Sequence, residues 1–461
     1  MTDVNLTTLP LSSLGDYEKD AAKRLLNQLN GRQKANRRQD LYYGARQAVR
    51  DLGIAIPPHL CDLEASIGWP AMAVDVLNER LRQDGWVVPG VDGDGGLGEI
   101  EGANQLRREL RVGARLAMIH GVSFGVAGRG DAAAGEPEVL VTVEPATRMT
   151  VTWDHRRKAV TEALLIEAGD RGGVKGGTLW IGDQVIEITR KGSRWELAER
   201  FDNTVGRPPI VRFVNRYGAD RRGRPEITRP LRAYSDNAIR TVVAMEVSRD
   251  FHAAPKFWLL GAEESQFVGP DGKSKSAWET YIGRLNAIPA TDDGVVPTVQ
   301  QFSGASPAPF IEQLRALAQM VSAESALPIS YLGLVHDANP ASADAALVSE
   351  ARLNLRAEER QDDFGDDRGQ LARFAMWIRD GEDPGVTPRP IWRSAATPTL
   401  SAAADAAVKL VAAGILPPDS EITRRRIGLD EQDILTLEEE SERRRALPVP
   451  APTPEPPVVD D

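Results

Sequence analysis

The sequence has a single cysteine and no long hydrophobic run. Cys61 has no second cysteine to pair with, which excludes an intrachain disulfide. No stretch approaches the ~20 apolar residues that a membrane-spanning helix needs. The N-terminal residues also lack the basic start and apolar core of a signal peptide. We therefore expect a soluble protein that is made inside a cell and has no membrane partner.

Residue patterns that mark catalytic or metal sites are scarce as well. The histidines show neither of the spacings, H-x-x-x-H or H-E-x-x-H, that place two zinc ligands on one helix face. They are His59, His120, His155, His252 and His336. Gly272, Lys273 and Ser274 resemble the end of a phosphate-binding loop, but the first glycine of that motif is missing. The sequence thus predicts no metal, no cofactor and no catalytic residue.

An acidic run leaves one enzymatic alternative open. Its aspartates are Asp362, Asp363, Asp366 and Asp367. Carboxylates in this number could hold a divalent cation, as in a metal-dependent nuclease. Adjacent residues on a helix point about 100° apart, however, so a solvated or interface-facing acidic face is the simpler interpretation.

The net charge of −11 argues against a protein whose chief task is to grip nucleic acid, because such binding relies on neutralising phosphates. It leaves open a surface past which DNA slides. One segment has the opposite sign: Arg207 to Arg232 holds eight arginines against Asp220 and Glu226. Guanidinium groups fit phosphates and carboxylates equally well.

This basic segment has three interpretations. It could bind phosphates or an acidic partner, it could be a solvated loop, or it could pair with the acidic run Glu358 to Asp367 of a neighbouring subunit in a ring. We predict that its central arginines contact groups outside their own subunit. They are Arg216, Arg221, Arg222 and Arg224.

The order of periodic patterns predicts an α+β fold that is mainly helical. A helical pattern from Tyr17 to Gly53 is broken near Gly31, and helices are also predicted after Pro70 and over residues 99–121. Short β-branched runs between Val122 and Val214 predict an antiparallel β region.

Two apolar helical stripes follow the β region, on either side of a mixed segment. The first comprises Leu231, Tyr234, Ala238, Val242 and Met245, and the second comprises Phe310, Leu314, Leu317 and Val321. After a loop of small and polar residues, a long helix runs to about Arg379, interrupted only by Gly365 and Gly369. A helical pair and a proline-rich, acidic tail end the chain.

The chain resembles the portal proteins of tailed double-stranded DNA bacteriophages. The matching blocks are "RQDLYYGARQAVRDLGIAIPP", "IGWPAMAVDVLNERLRQDGW", "LAMIHGVSFGVAG" and, most specifically, "ALPISYLGLVHDANPASADAALVSEARL". In the last block the family's pattern falls on Pro328, Tyr331, Gly333, Asn339, Pro340, Ser342 and Ala343. The resemblance runs from about Ala35 to Ala446 and rests on the order of elements together with these blocks.

The resemblance implies a portal-like architecture. It divides the chain into an N-terminal helical part of the wing (1–121), a β-rich part of the wing (122–222), a first stem helix (223–254), a clip (255–306), a second stem helix (307–330), a tunnel loop (331–343), a long wing or crown helix (344–395), a C-terminal helical crown (396–447) and a disordered proline-rich tail (448–461). By the same resemblance, the clip residues that face partners are Lys256, Lys273, Lys275 and Trp278. The tunnel-loop residues that face DNA are His336, Asp337, Ala338, Asn339, Pro340, Ala341 and Ser342.

The implied function is that of a ring at the capsid vertex of the virion. The family's rings, usually dodecamers, are assembled in the host cytoplasm and act as the channel for DNA packaging and ejection. Double-stranded DNA, the terminase large subunit, head-completion or adaptor proteins, and the major capsid or scaffold protein are the implied partners. ATP hydrolysis would belong to the terminase, so the portal itself is expected not to be an enzyme. A metal-dependent nuclease and another virion ring or adaptor protein remain the alternatives.

Overall fold

The computed structural model describes residues 14–47, 65–168, 174–191, 194–252, 257–260, 298–301, 306–333, 343–396, 400–429 and 431–446. The chain splits into two compact units, Met1–Ala395 and Ala396–Asp461. Helices make up 52% and strands 20% of the structure, which confirms the predicted α+β, mainly helical class. None of the helices in the described ranges is long and apolar enough to cross a membrane.

The first unit contains seven α-helices and twelve strands within its described residues. The helices are α1 (Asp16–Tyr43), α2 (Trp69–Glu79), α3 (Leu97–Ala103), α4 (Leu106–His120), α5 (Arg229–His252), α6 (Ala308–Ser325) and α7 (Ala343–Asp380). The strands are β1 (Gln83–Val87), β2 (Val122–Arg129), β3 (Val139–Pro145), β4 (Met149–Asp154), β5 (Ala159–Ala168), β6 (Val174–Ile181), β7 (Gln184–Lys191), β8 (Arg194–Asp202), β9 (Ile210–Val214), β10 (Phe257–Leu260), β11 (Thr298–Gln301) and β12 (Arg389–Trp392). The described part of the second unit contains α8 (Leu400–Ala412), α9 (Glu421–Ile427) and α10 (Glu431–Ala446).

The predicted β region is confirmed and consists of two antiparallel sheets. One has the strand order β4-β5-β6-β7-β8 and the other β3-β2-β9. The β6–β7 hairpin turns at Gly182, whose φ of 60° lies in the left-handed region that glycine adopts at little cost. Helix α1 covers the five-stranded sheet, and its Leu25 and Leu29 pack into a buried cluster with Leu179 and Ile186.

The break predicted near Gly31 is wrong, because α1 runs without interruption from Asp16 to Tyr43. A Cβ at Gly31 would meet no atom within 4 Å, so this glycine lies on an open face of the helix. Glycine in a helix costs about 1 kcal/mol relative to alanine, and the burial of leucines on the opposite face outweighs that cost. The helix is followed by Gly44, whose N–H bonds to the Asp40 carbonyl.

The single helix predicted over residues 99–121 is two helices, α3 and α4. Between them Gln105 has a φ of 50°, and the side chain of Asn104 pairs with strand β3. Its amide nitrogen donates to the Val139 carbonyl at 2.8 Å, and its oxygen accepts from the Val141 N–H at 2.8 Å. A tertiary contact therefore decides where the helix is interrupted.

Helices α5 and α6, the predicted stem pair, pack against each other. The predicted stripes supply much of the contact: Leu231 and Ala238 are buried on α5, and Leu314, Leu317 and Val321 are buried on α6. Tyr234 and Val242 are partly buried against the same core. Burial of these stripes is what the sequence predicted.

Helix α7 is continuous for 38 residues, so the predicted interruptions at Gly365 and Gly369 are wrong. Both glycines allow the segment containing β12 to lie against the helix. A Cβ at Gly369 would lie 2.3 Å from the Pro388 carbonyl oxygen, and one at Gly365 would lie 3.2 Å from Trp392 Nε1. The glycines mark a close approach between backbone segments.

Arg368 fixes this contact from inside the protein. Its guanidinium lies 4.5 Å from the centre of the Trp392 ring and donates to Gln83 Oε1 at 2.9 Å and to the Leu110 carbonyl at 3.2 Å. Burial lowers the pKa of Arg368 to about 9. The side chain thus joins α7 to β1, β12 and α4 in a buried site.

Candidate functional site

Two groups of predicted site residues lie outside the described residues. They are the clip residues Lys256, Lys273, Lys275 and Trp278, and the tunnel-loop residues His336, Asp337, Ala338, Asn339, Pro340, Ala341 and Ser342. Both assignments stay predictions. What the structure does describe is how the ends of the two segments are held.

The ends of the predicted clip are joined by a two-stranded antiparallel ladder. Strand β10 pairs with β11, with Phe257 opposite Gln301 and Leu260 opposite Thr298. The two ends of the predicted clip segment therefore lie side by side.

The segments on either side of the predicted tunnel loop are joined by a partly buried polar cluster. Tyr331, in a 3₁₀ turn after α6, donates its hydroxyl to Glu350 Oε1 at 2.5 Å, and Glu350 lies in the second turn of α7. Arg80 completes the cluster by donating to Glu350 Oε2 at 3.0 Å. Burial and the bond to Glu350 raise the pKa of Tyr331. We call Tyr331, Glu350 and Arg80 the loop anchor.

The loop anchor is connected to the rest of the first unit through Arg80. Its second nitrogen, Nη1, donates to Asn354 Oδ1 at 2.8 Å and to the Ala395 carbonyl at 2.7 Å. The side chain of Arg80, the residue that follows α2, therefore links the segments on both sides of the predicted loop to a third part of the first unit. Sequence analysis missed this residue, because nothing near Arg80 in the sequence indicates its partners.

The predicted basic cluster lies on a loop between β9 and α5. Asn215, fully buried, holds the loop closed by donating to the Arg224 carbonyl at 2.7 Å. At its neck Gly223 passes close to Gly121, where a Cβ would lie 1.7 Å from the carbonyl oxygen. The side chains of Arg221, Arg222 and Arg224 are exposed, and Arg216 is half-buried.

Two of these arginines line a cleft of about 530 Å³ between the loop, the end of α6 and one face of α7. We call it the arginine cleft. Its arginines are Arg216, Arg224, Arg352, Arg356 and Arg360, and its acidic residues are Glu324 and Glu359. The α7 arginines are spaced by four residues and therefore share one helix face. The positive charge lining the cleft exceeds the negative charge.

Glu226 pairs with two of the arginines that line the cleft. Its side chain, 1% exposed, accepts from Arg360 at 3.3 Å, from Arg356, and from Asn215 Nδ2 at 3.1 Å. Arg356 also donates to the Ser325 carbonyl at the C-terminus of α6, and Arg352 donates to the Ala323 carbonyl at 2.9 Å. Cations satisfy the free carbonyls that a helix C-terminus leaves. The arginines of α7 thus brace the C-terminal end of α6 and the segment that precedes α5.

Arg221 and Arg222 line a second cleft of about 600 Å³, formed with α1 and β4. On its wall the guanidinium of Arg212 stacks on the Trp153 ring at 3.7 Å. The four predicted arginines are therefore brought onto one loop but divided between two clefts.

The acidic run on α7 is not uniformly exposed. Asp362 and Asp366 are exposed, whereas Asp363 lies 3.6 Å from Arg360 and Asp367 accepts from the Val214 N–H at 3.2 Å. Burial raises the pKa of Asp367 to about 8. The described residues contain no group of three or more histidine, cysteine, aspartate or glutamate side chains that could hold a metal ion.

Sequence analysis also missed Glu226 and the α7 arginines as a unit. The spacing of Arg352, Arg356 and Arg360 was a signal that could have been used, because it places three cations on one face of a long helix. Glu226 appeared only as one of two acids in a basic segment. Its partners are more than a hundred residues away in the chain.

Comparison with known proteins gives consistent matches. Residues 23–445 match the family described as phage portal protein, SPP1 Gp6-like. The chain is 29% identical over 443 residues to the portal protein of Mycobacterium phage L5, covering 92% of this chain and 88% of the relative. It is 30% identical over 386 residues to the portal protein of Mycobacterium phage D29, covering 81% and 78%.

Among solved structures, the neck of a native GTA particle computed with C12 symmetry is similar, with 14% identity, a TM-score of 0.42 and coverage of 78% of this chain and 90% of the other. The neck of an empty GTA particle computed with C6 symmetry has 16% identity, a TM-score of 0.45 and the same coverage. The family match extends over nearly the whole sequence and includes α5, α6, the loop anchor and the arginine cleft. The chain therefore belongs to the phage portal protein family, whose members form the ring at the capsid vertex.

Proposed function

We propose that the ring formed by this chain is a dodecameric channel through which double-stranded DNA enters and leaves the capsid. The observation that carries the proposal is the family match over residues 23–445, which leaves no room for a separate functional domain within that span. The net charge of −11 supports it, because a ring of acidic subunits repels phosphates and so limits adhesion of DNA to the wall. DNA would pass without sequence-specific contacts.

The tunnel loop, residues 331–343, is the segment that we assign to the DNA. Its predicted residues, including Asn339 and Pro340, are small or polar and leave little side chain to hold a polymer. The loop anchor supports the assignment, since the Tyr331 hydroxyl bonds to Glu350 in the second turn of α7 and thereby joins the segments that precede and follow the loop.

The clip, residues 255–306, is the segment that we assign to protein partners. These partners are the terminase large subunit during packaging and head-completion or adaptor proteins afterwards, with the major capsid or scaffold protein as a neighbour at the vertex. Lys256, Lys273, Lys275 and Trp278 supply the cationic and aromatic groups that such interfaces use. Pairing of β10 with β11 supports the assignment, because it brings the two ends of this segment side by side.

We further propose that the chain is not an enzyme and that ATP hydrolysis takes place in the terminase. Its family is a structural one. A metal-dependent nuclease would use the acidic run, yet Asp363 and Asp367 are engaged with Arg360 and Val214. Assembly would take place in the host cytoplasm, and the mature location is the portal vertex of the virion.

Two measurements on the purified full-length chain test the proposal. Negative-stain electron microscopy is expected to show rings with a central channel. Incubation of the chain with supercoiled plasmid and Mg²⁺ or Mn²⁺ is expected to leave the plasmid intact. Cleavage that is lost in Asp362→Asn/Asp366→Asn would instead support the nuclease, and closed rings without a channel wide enough for a duplex would support another virion ring protein.

A further inference from the structure

The four predicted arginines lack a carboxylate partner within the part of the chain that the structure describes. The carboxylates that line the cleft or contact its α7 arginines already have partners other than these four arginines. Glu324 accepts from Thr228, Glu359 pairs with Arg360, and Glu226 is held by the α7 arginines. Arg221 approaches only the Tyr217 ring, at 5.9 Å. A surplus of exposed guanidinium groups on a chain with net charge −11 is a complementary surface for an anionic partner.

Helix α7 carries the opposite surface on another of its sides. Glu358, Asp362 and Asp366 are spaced by four residues, and all three are exposed. None of the three has an ion-pair partner among the described residues. Like charges at this spacing destabilise a helix, so an isolated subunit gains nothing from the arrangement.

Two large aliphatic side chains lie on the same side of α7. Val348 is 76% exposed and Leu355 is 66% exposed. An aliphatic and acidic stripe does not fit a nucleic acid, which offers phosphates to an interface, but it does fit a protein surface with an apolar patch beside cations. We call Val348, Leu355, Glu358, Asp362 and Asp366 the acidic face.

We infer that the acidic face of one subunit packs on the arginine cleft of the next subunit in the ring, with Asp362 and Asp366 opposite Arg216 and Arg224. This rests on the proposed ring. A cyclic ring joins each subunit to its neighbour through two different surfaces. The acidic face and the arginine cleft satisfy that requirement, because they lie on different sides of α7 and are opposite in charge.

Both surfaces are open to solvent in the single subunit. Eight residues of helix separate Glu358 from Asp366, a length of about 12 Å at 1.5 Å per residue. The arginine cleft has a volume of about 530 Å³ and is open to solvent, so carboxylate side chains can enter it. Each pairing would bring a bidentate arginine fork onto a carboxylate.

Charge exchange on the full-length chain tests the pairing. Arg216→Glu/Arg224→Glu and Asp362→Arg/Asp366→Arg are each expected to lower the fraction of protein in rings at least tenfold, measured by sedimentation. A chain with all four substitutions is expected to recover at least half of the original fraction. Arg156→Glu/Asp183→Arg, at exposed turns of the β region, is the matched control and is expected to assemble normally.

Ring formation by either charge-reversed variant at the level of the unaltered chain would overturn the pairing. So would failure of the four-fold variant to recover while its subunit still melts as the unaltered chain does. If the unaltered chain forms no ring, the proposed function fails together with the pairing, and that result is distinguishable from the other two. Rescue by charge exchange also excludes DNA as the partner of the arginine cleft, because phosphates stay negative and could not pair with the introduced glutamates.

If the chain with all four substitutions does not fold, a cross-linking experiment tests the pairing instead. In a Cys61→Ser background, chains with only Arg224→Cys are mixed with chains with only Asp362→Cys and then oxidised. A disulfide-linked pair containing one chain of each kind is expected, and it can only arise between subunits. Arg156→Cys in place of Arg224→Cys is expected to give none. Absence of the mixed pair in assembled rings would overturn the inference.

Discussion

Replacing Glu226 is expected to destabilise the first unit more than replacement of any exposed acid. The Glu226 carboxylate is 1% exposed, and it is the shared partner of Arg356 and Arg360. Removal of one partner from a buried ion pair typically costs about 3–5 kcal/mol, because the remaining charge stays buried without compensation.

The structure places Glu226→Ala at the lower end of that range. Arg356 is 18% exposed and can turn toward water, whereas Arg360 is 2% exposed but keeps Glu359 at 3.1 Å and Asp363 at 3.6 Å. We therefore expect a loss of about 3 kcal/mol for Glu226→Ala. Glu226→Gln keeps an oxygen for the Asn215 amide and loses only the charge, so about 1.5–3 kcal/mol is expected.

Urea denaturation of the subunit, followed by circular dichroism, measures these changes as shifts in the midpoint at constant slope. Glu138→Ala is the matched control, because its pairing with Arg129 at 3.8 Å is 69% exposed on both sides and should contribute less than about 1 kcal/mol. A Glu226→Ala subunit that unfolds within about 1 kcal/mol of the unaltered one would refute the reasoning. It would mean that Arg360 is adequately paired by Glu359 and Asp363.

Four further outcomes are expected. Leu314→Asp places a charge in the α5–α6 contact, where Leu314 is 8% exposed. The free energy of unfolding should fall by several kcal/mol. A variant with an unchanged melting temperature would show that the stripe is not buried. Asp367→Asn should remove a pH dependence. Because the pKa of Asp367 is raised to about 8 when folded, the native state binds more protons between about pH 4 and pH 8, so stability falls as pH rises through that window. The Asn variant should therefore gain stability over the unaltered chain progressively from about pH 4 to pH 8, and the difference should stay constant above about pH 8. Arg80→Ala should leave ring formation intact but speed amide exchange at residues 331–350, with Arg82→Ala as control; equal exchange in both would argue against the loop anchor. Replacing Asp337 to Ser342 by a Gly-Ser linker should preserve rings yet reduce the length of nuclease-protected DNA per particle, and normal yields of full-length genomes would mean that the loop does not act on DNA.

The patterns that depend on local chemistry were predicted well. The antiparallel β region and the α6 stripe follow from alternation and helical spacing, which neighbouring residues fix by themselves. Errors arose where a distant segment decides the outcome. Helix α3 ends before Asn104 because the Asn104 side chain pairs with β3. Gly369 lies inside α7, where the absence of a Cβ leaves room for the Pro388 backbone.

The candidate site was predictable only in part, for the same reason. The arginines of the loop before α5 were visible as a local excess of charge, and the structure brings them onto one loop. Glu226 and Arg80 act through partners that are 130 and 270 residues away in the chain. No pattern within a window of sequence carries such pairings.

The uninterrupted course of α7 gives it the mechanics of a lever. The helix begins at Ala343, at the end of the predicted tunnel loop, and Arg368 fixes it inside the protein. About 25 residues separate these points, a rigid arm of roughly 38 Å at 1.5 Å per residue. The loop anchor and the α7 arginines tie this arm to Tyr331 and to the end of α6, so these parts would have to move together with it. A tilt of about 5° at Arg368 would then move the loop end by about 3 Å, close to the ~3.4 Å axial step between successive base pairs. A small rotation deep in the subunit is thereby amplified into a displacement on the scale of a single base pair.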